Sequence, residues 1–212
     1  MSVKSADSAM EKVQIWDAPT RVFHWLLVLS FVVSYITAEG ERWRLVHVTF
    51  GYTFGALLVF RLIWGVVGTR YARFSNFVRG PVAVLRYVES LKSGRPQHHL
   101  GHNPAGAVAI VLMIALGLVQ LVTGWAAYND VGGEWRSQLH ELAANAMVLV
   151  IVVHLAGVLS ASVMHHENLV RAMLTGKKTG WPSDAIAATG RPVAVMLVLA
   201  AVGFWLYQWQ SV

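Results

Sequence analysis

The sequence predicts an all-α fold: a polytopic membrane bundle of four helices with a fifth transmembrane helix at its C-terminal end. Three observations lead there. Of the 212 residues, 56% are hydrophobic and 13% charged, with a mean hydropathy of +0.51, far from a soluble domain's mixture, so the bilayer must be the solvent. A helix needs about 20 mainly apolar residues to cross the hydrocarbon, and five stretches qualify, at residues 20–38, 47–67, 104–126, 140–163 and 192–209. The basic residues, finally, gather in alternate connections, the pattern of a chain that crosses repeatedly.

Taken in order, residues 1–15 are polar and short of hydrophobic pattern, so they are expected to form a mobile cytoplasmic tail. Asp17-Ala-Pro-Thr then starts the first helix, with Asp17 as N-cap and Pro19 in the first turn. That span lacks a small-residue cleavage site and reads as a retained helix, not a signal peptide. In the long connection 68–103, Pro81–Ser93 sets Val82, Val84, Leu85, Val88 and Leu91 against Arg86, Glu89 and Lys92, an amphipathic helix that either lies on the membrane surface or folds over the loop. Asn103-Pro104 opens the third span. Residues 176–191, rich in Gly, Lys and Thr, form a polar linker. The expected organisation is a tail (1–15), a membrane domain (16–175), a linker (176–191) and an additional transmembrane helix (192–212).

A pI near 9.9 and a net charge of +6 would suit nucleic acid, but placement argues for membrane topology. Lys4, Lys12 and Arg21 precede or head the first span; Arg61, on the approach to the connection after the second span, is followed in it by Arg70, Arg73, Arg79, Arg86, Lys92 and Arg95; Arg171, Lys177, Lys178 and Arg191 follow the fourth. The other side has Arg42, Arg44 and Arg136, partly offset by Glu39, Glu41, Asp130 and Glu134. The N-terminus is therefore expected in the cytoplasm and the C-terminus outside. Tryptophans near the span ends, such as Trp16, Trp43, Trp125 and Trp135, fit interfacial belts.

Of nine histidines, His24, His47, His140 and His154 fall in or at the edge of spans. Ionisable side chains at such depth are costly and face the bundle interior. His140 and His154 lie fourteen residues apart, close to four turns, so they share a face while standing about 21 Å apart along the axis. They address two levels, not one ion. Matching depths pairs His47 with His140 near the outer surface and His24 with His154 in the inner half, the second match being looser because His24 sits nearer its membrane edge. Two neutral imidazoles facing across a bundle suit an iron porphyrin with one axial ligand on each side. Zinc would want four ligands, and apart from Glu141 no carboxylate lies at these depths. The chain has no cysteine, which excludes disulfides and the covalent c-type attachment, so any haem is non-covalent.

Other features have two readings. Gly51 and Gly55, a small-x-x-x-small face after His47, admit a flat ring or a neighbouring helix. Arg61, fourteen residues after His47, either neutralises a haem propionate at the inner level or snorkels to the interface. Arg42 and Arg44 stand in the same relation to the outer haem. His98, His99 and His102, with His165 and His166, are expected as solvated loop residues, a labile metal site being the alternative.

Several segments resemble the prokaryotic cytochrome b561 and nickel–iron hydrogenase b-type cytochrome family: Trp16-Asp-Ala-Pro-Thr-Arg-Val-Phe-His24-Trp, Arg44-Leu-Val-His47 with Phe50-Gly51-Tyr-Thr-Phe-Gly55, Gly101-His-Asn-Pro-Ala-Gly106, and Leu139-His140-Glu-Leu-Ala-Ala-Asn through His154. The resemblance covers about residues 13–178 and implies a bacterial inner-membrane protein with two haem b groups, whose iron ligands would be His24, His47, His140 and His154, with Arg61 as a further cofactor contact. It also implies electron transfer between a membrane quinone, a candidate second cofactor, and a periplasmic redox protein such as a c-type cytochrome. The alternative is a self-contained superoxide:quinone oxidoreductase, which would need a positive external funnel that the few outer charges do not supply. A histidine-containing metal transporter is a third class. Homo-oligomerisation and the role of the fifth helix stay open.

Overall fold

The computed structural model describes residues 9–94 and 97–210; Lys4, Arg95 and the first eight residues of the expected tail lie outside the described residues. The described residues are 74% helical, which makes the fold the predicted all-α class. In order come α1 (Ala18–Ile36), α2 (Arg44–Val67), α3 (Phe74–Phe77), α4 (Pro81–Lys92), α5 (Pro104–Tyr128), α6 (Trp135–Met164), α7 (Leu169–Thr175) and α8 (Arg191–Gln210), with strands β1 (Glu11–Gln14) and β2 (Lys177–Gly180). Five of these helices, α1, α2, α5, α6 and α8, are long and apolar enough to cross a membrane. They carry exposed Val32, Val66, Val122, Leu149 and Leu199 on their outer surfaces, as lipid-facing helices do.

The helix starts have chemical causes. Asp17 accepts from the Thr20 amide at 2.6 Å and Asn103 from the Gly106 amide at 2.7 Å, and Pro19 and Pro104 occupy first-turn positions where no amide hydrogen is needed. α6 begins at Trp135, ahead of the expected residue 140, because Arg136-Ser-Gln is helical yet too polar to register as membrane sequence. Its 30 residues make about 45 Å of helix, longer than the roughly 30 Å of hydrocarbon, so its ends project.

α1 packs along α2 and α5 along α6, and contact between α2 and α5 joins the two pairs. Midway, Phe54 and Leu58 of α2 and Met147 of α6 are buried together, with Leu27 and Phe31 of α1 and Met113 of α5 against them. α8 lies against α1 and reaches α2, where the Trp205 indole donates to Thr53 Oγ1 at 2.9 Å and its ring stands 4.9 Å from Phe50. The fifth helix is thus packed into the bundle's flank.

One end of the bundle departs from expectation. The sequence assigns residues 11–15 to a mobile tail and 176–191 to a polar linker. Instead β1 and β2 pair antiparallel, Glu11 opposite Gly180 and Gln14 opposite Lys177. Val13 and Ile15 point into a small core with Trp16, Tyr71 and Ala172 while Lys12 stays exposed, a strand alternation too short to stand out in sequence. Gly176 closes α7 at φ +81°, and its carbonyl accepts from the amides of Ile15 and Trp16 at 2.8 and 3.0 Å. A side chain there would run into Gln14 and Trp16, so glycine is required on both counts. This β clasp, with the 68–103 connection, caps the bundle end at which α1 starts and α6 finishes.

Candidate functional site

At the end opposite the clasp, α2 and α6 bring His47 and His140 together, their ring centroids 6.2 Å apart and planes at 71°. A neighbouring helix holds each ring by Nδ1. His47 Nδ1 lies 2.8 Å from the Ser34 carbonyl of α1, and His140 Nδ1 lies 3.0 Å from the Gln120 carbonyl and 3.2 Å from Thr123 Oγ1, both of α5. A carbonyl only accepts, so Nδ1 carries the hydrogen in both rings and Nε2 keeps the lone pair. Two imidazole nitrogens bound to one metal at about 2 Å would place their ring centroids about 6 Å apart, which the pair satisfies. Gly51, one turn along α2, would carry a side chain into open space, whereas a side chain on Gly55 would strike Leu121. The two residues of this small-residue face therefore differ: Gly55 admits the neighbouring α5, whereas Gly51 faces open space. A cleft of about 510 Å³ lined by Arg44, Leu45, Val48 and Tyr128 opens at the same level, the Arg44 guanidinium 5.7 Å from the Tyr128 ring.

Toward the clasp, α1 and α6 bring His24 and His154 within electrostatic reach of each other, as the depth match expects. His24 Nδ1 is buried with no hydrogen-bond partner among the described residues, an orphan polar atom of the kind that a ligand satisfies. Arg61 does not snorkel: it is 4% exposed, donates to the Ala72 carbonyl at 2.9 Å, and lies 4.5, 5.7 and 5.8 Å from the rings of Phe74, Phe77 and Phe23. Its charge is fixed inside the protein at the inner level. Nearby, Asp17 accepts from the Trp64 indole at 3.1 Å and the Thr69 hydroxyl at 2.5 Å, tying α1, α2 and the following loop together.

His102 is the residue whose placement the sequence misjudged. Instead of a solvated loop position it occupies a slot between Trp16 and Phe77, centroids 4.6 and 4.5 Å away, with Nδ1 buried and without a hydrogen-bond partner among the described residues. Burial first, then the charge of Arg61, with His154, Lys178 and His24 contributing, pushes its imidazole down to about 3. Of the other loop histidines, His98, His99 and His165 are also in contact with neighbours, while His166 is exposed. The His99 ring lies tilted against Tyr87, centroids 5.6 Å apart, its backbone carbonyl accepting from the buried Lys178, which also pairs with Glu167 at 3.0 Å. His98 meets His165 at 5.2 Å and Glu167 at 3.8 Å. Among the described residues no group of three or more His, Cys, Asp or Glu is arranged to hold a metal ion. The motif signal for His102 was present in Gly101-His-Asn-Pro; its aromatic slot depends on contacts with Trp16 and Phe77, far apart in sequence.

The depressed His102 has a thermodynamic sign. Between its ordinary value near 6.5 and about 3, the unfolded chain binds a proton that the folded chain refuses, so its contribution to stability is present above 6.5 and drains away as the pH falls. The slope is at most about 1.4 kcal/mol per pH unit for one proton. His102→Gln is expected to flatten the acid limb of a thermal-unfolding profile measured in detergent; an unchanged limb would count against this burial.

The family described as prokaryotic cytochrome b561 matches residues 15–176. A protein of Rhodobacter capsulatus named "Probable Ni/Fe-hydrogenase B-type cytochrome subunit" is 26% identical, over 79% of this chain and 81% of its own length. A protein of the same name from Cupriavidus necator is 24% identical, over 82% of this chain and 90% of its own. The Escherichia coli K12 protein named "Probable Ni/Fe-hydrogenase 1 B-type cytochrome subunit" is 28% identical, over 55% of this chain and 60% of its own. No solved structure matches.

Proposed function

The chain belongs to the prokaryotic cytochrome b561 family, and on that premise we propose that it carries electrons across the membrane through two b haems, one held by His47 and His140, the other by His24 and His154. Its family and its five apolar helices make it a multi-pass membrane b-type cytochrome of electron transfer. Haem, when bound, supplies one-electron reduction and oxidation at its iron. The observation that carries the finer reading is the facing pair His47 and His140, each ring held by Nδ1 so that Nε2 is the nitrogen left to bind metal. Each histidine pair would hold a haem through two imidazoles, and the haem would supply outer-sphere one-electron transfer there.

Other residues take roles around these pairs. Arg61 would offer a fixed cation to a haem propionate at the inner level, and Arg44 would do so at the outer level. Phe54, Leu58 and Met147 fill the space between the two levels with an apolar core and keep water out of it. The clasp end collects Arg70, Arg73, Arg79, Arg86, Lys92, Arg171, Lys177 and Lys178, so we place it, with the N-terminus, in the cytoplasm and the C-terminus outside. A cavity of about 400 Å³, lined by Tyr71, Phe77, His98, His102, Trp181 and Asp184 among others, opens at the clasp end beside His102 and is where we place quinone exchange. The names of the relatives associate them with nickel–iron hydrogenase; for this chain the partner is a periplasmic redox enzyme or c-type cytochrome docking at the outer end.

The test uses haem-loaded protein in phospholipid vesicles containing ubiquinone and an external, membrane-impermeant reductant. His154→Ala is expected to stop quinol formation, to below a tenth of the wild-type rate, while the outer haem remains reducible. Quinol formation at the wild-type rate would overturn the two-level relay.

A further inference from the structure

The outer pair is held asymmetrically, and the extra contacts come from one turn of α5. His140 Nδ1 faces two acceptors, the Gln120 carbonyl at 3.0 Å and Thr123 Oγ1 at 3.2 Å, while His47 Nδ1 has the Ser34 carbonyl at 2.8 Å. Thr123 is buried, and its own hydroxyl hydrogen is used toward the Val119 carbonyl at 2.7 Å, which turns its lone pairs toward His140. The Gln120 side chain reaches the Ala143 carbonyl of α6 at 3.2 Å, one turn from His140, and so fixes the two helices relative to each other. Gly124 completes the seat: a side chain there would stand 2.9 Å from His140 Cε1 and 3.2 Å from Nδ1.

From these contacts we propose that Thr123 and Gly124 are positioning residues for the outer haem, Gly124 setting the orientation of the His140 ring and Thr123 its strength as an electron donor to iron. The proposal rests on the reading that His47 and His140 hold a haem. A hydrogen bond from Nδ1–H makes an imidazole a more basic ligand, and a more basic ligand favours ferric over ferrous iron. Of the two acceptors, the Gln120 carbonyl belongs to the backbone and is retained in any variant. The Thr123 hydroxyl is the adjustable contact, and valine replaces it without changing side-chain shape.

The experiment is a spectroscopic redox titration of haem-loaded, full-length protein in detergent, with low-temperature electron paramagnetic resonance on the same samples. Thr123→Val is expected to raise one midpoint potential and leave the other in place, with a change in the g values of the same haem. Thr123→Ser should restore both. In the His154→Ala background, which keeps the outer haem alone, the shift should persist. Gly124→Ala is expected to weaken or remove the low-spin signal of that haem. Potentials and g values unmoved by Thr123→Val overturn the proposal even if Gly124→Ala fails to fold. A wild-type protein that binds no haem overturns the electron-transfer reading itself, a separate outcome.

Discussion

Replacing His140 with alanine is expected to halve the haem content, from two per chain to one, while the inner haem keeps its spectrum. The expectation follows from the division of labour along α6. His140 and His154 share a face yet stand about 21 Å apart along the axis, and the Phe54, Leu58 and Met147 core lies between them, so removing one ligand leaves the other level packed. The variant leaves the Gln120 carbonyl and Thr123 hydroxyl without their donor, and neither reaches the inner pair. A pyridine haemochrome assay against protein concentration reads the ratio. Loss of both haems, or of neither, would break the assignment of levels.

The second large effect is on stability, at Asp17. This carboxylate is buried, caps α1 through the Thr20 amide, and accepts from Trp64 and Thr69. Asp17→Ala removes an N-cap, which costs about 1 kcal/mol, and strands donors that had a charged acceptor, at about 1.5–3 kcal/mol for such a bond. A loss of roughly 3–5 kcal/mol is expected, seen as a lower unfolding temperature in detergent and earlier haem release on heating. Asp17→Asn keeps the cap geometry and should lose markedly less. A change within about 0.5 kcal/mol for the alanine variant, the range of an ordinary surface substitution, would contradict the structural role given to Asp17.

The membrane architecture was legible in the sequence because apolar runs and helix caps are local. Asp17-Ala-Pro-Thr and Asn103-Pro104 mark their helix starts in the structure as they do in the chain. The histidine levels were legible for a related reason: helix geometry converts the spacing of His140 and His154 into depth without knowledge of packing. What escaped was tertiary. The pairing of Glu11–Gln14 with Lys177–Gly180 joins segments more than 160 residues apart, and each strand is too short to declare itself. His102 reads as a loop histidine until Trp16 and Phe77 close around it. Arg61 has the spacing of a snorkelling residue, and only the arrival of Phe74, Phe77 and Phe23 shows that its charge stays inside. The holders of the outer pair, Ser34, Gln120 and Thr123, were invisible for the same reason: two of the three contacts are made by backbone carbonyls, which carry no residue signature.

The most direct test of the central claim is the haem content of the purified wild-type chain, read by pyridine haemochrome together with the reduced-minus-oxidised spectrum and electron paramagnetic resonance. Two b haems per chain, both low-spin with two nitrogen ligands, are expected. A chain that binds no haem, or one whose single haem survives both His140→Ala and His24→Ala, would contradict the paired-histidine relay.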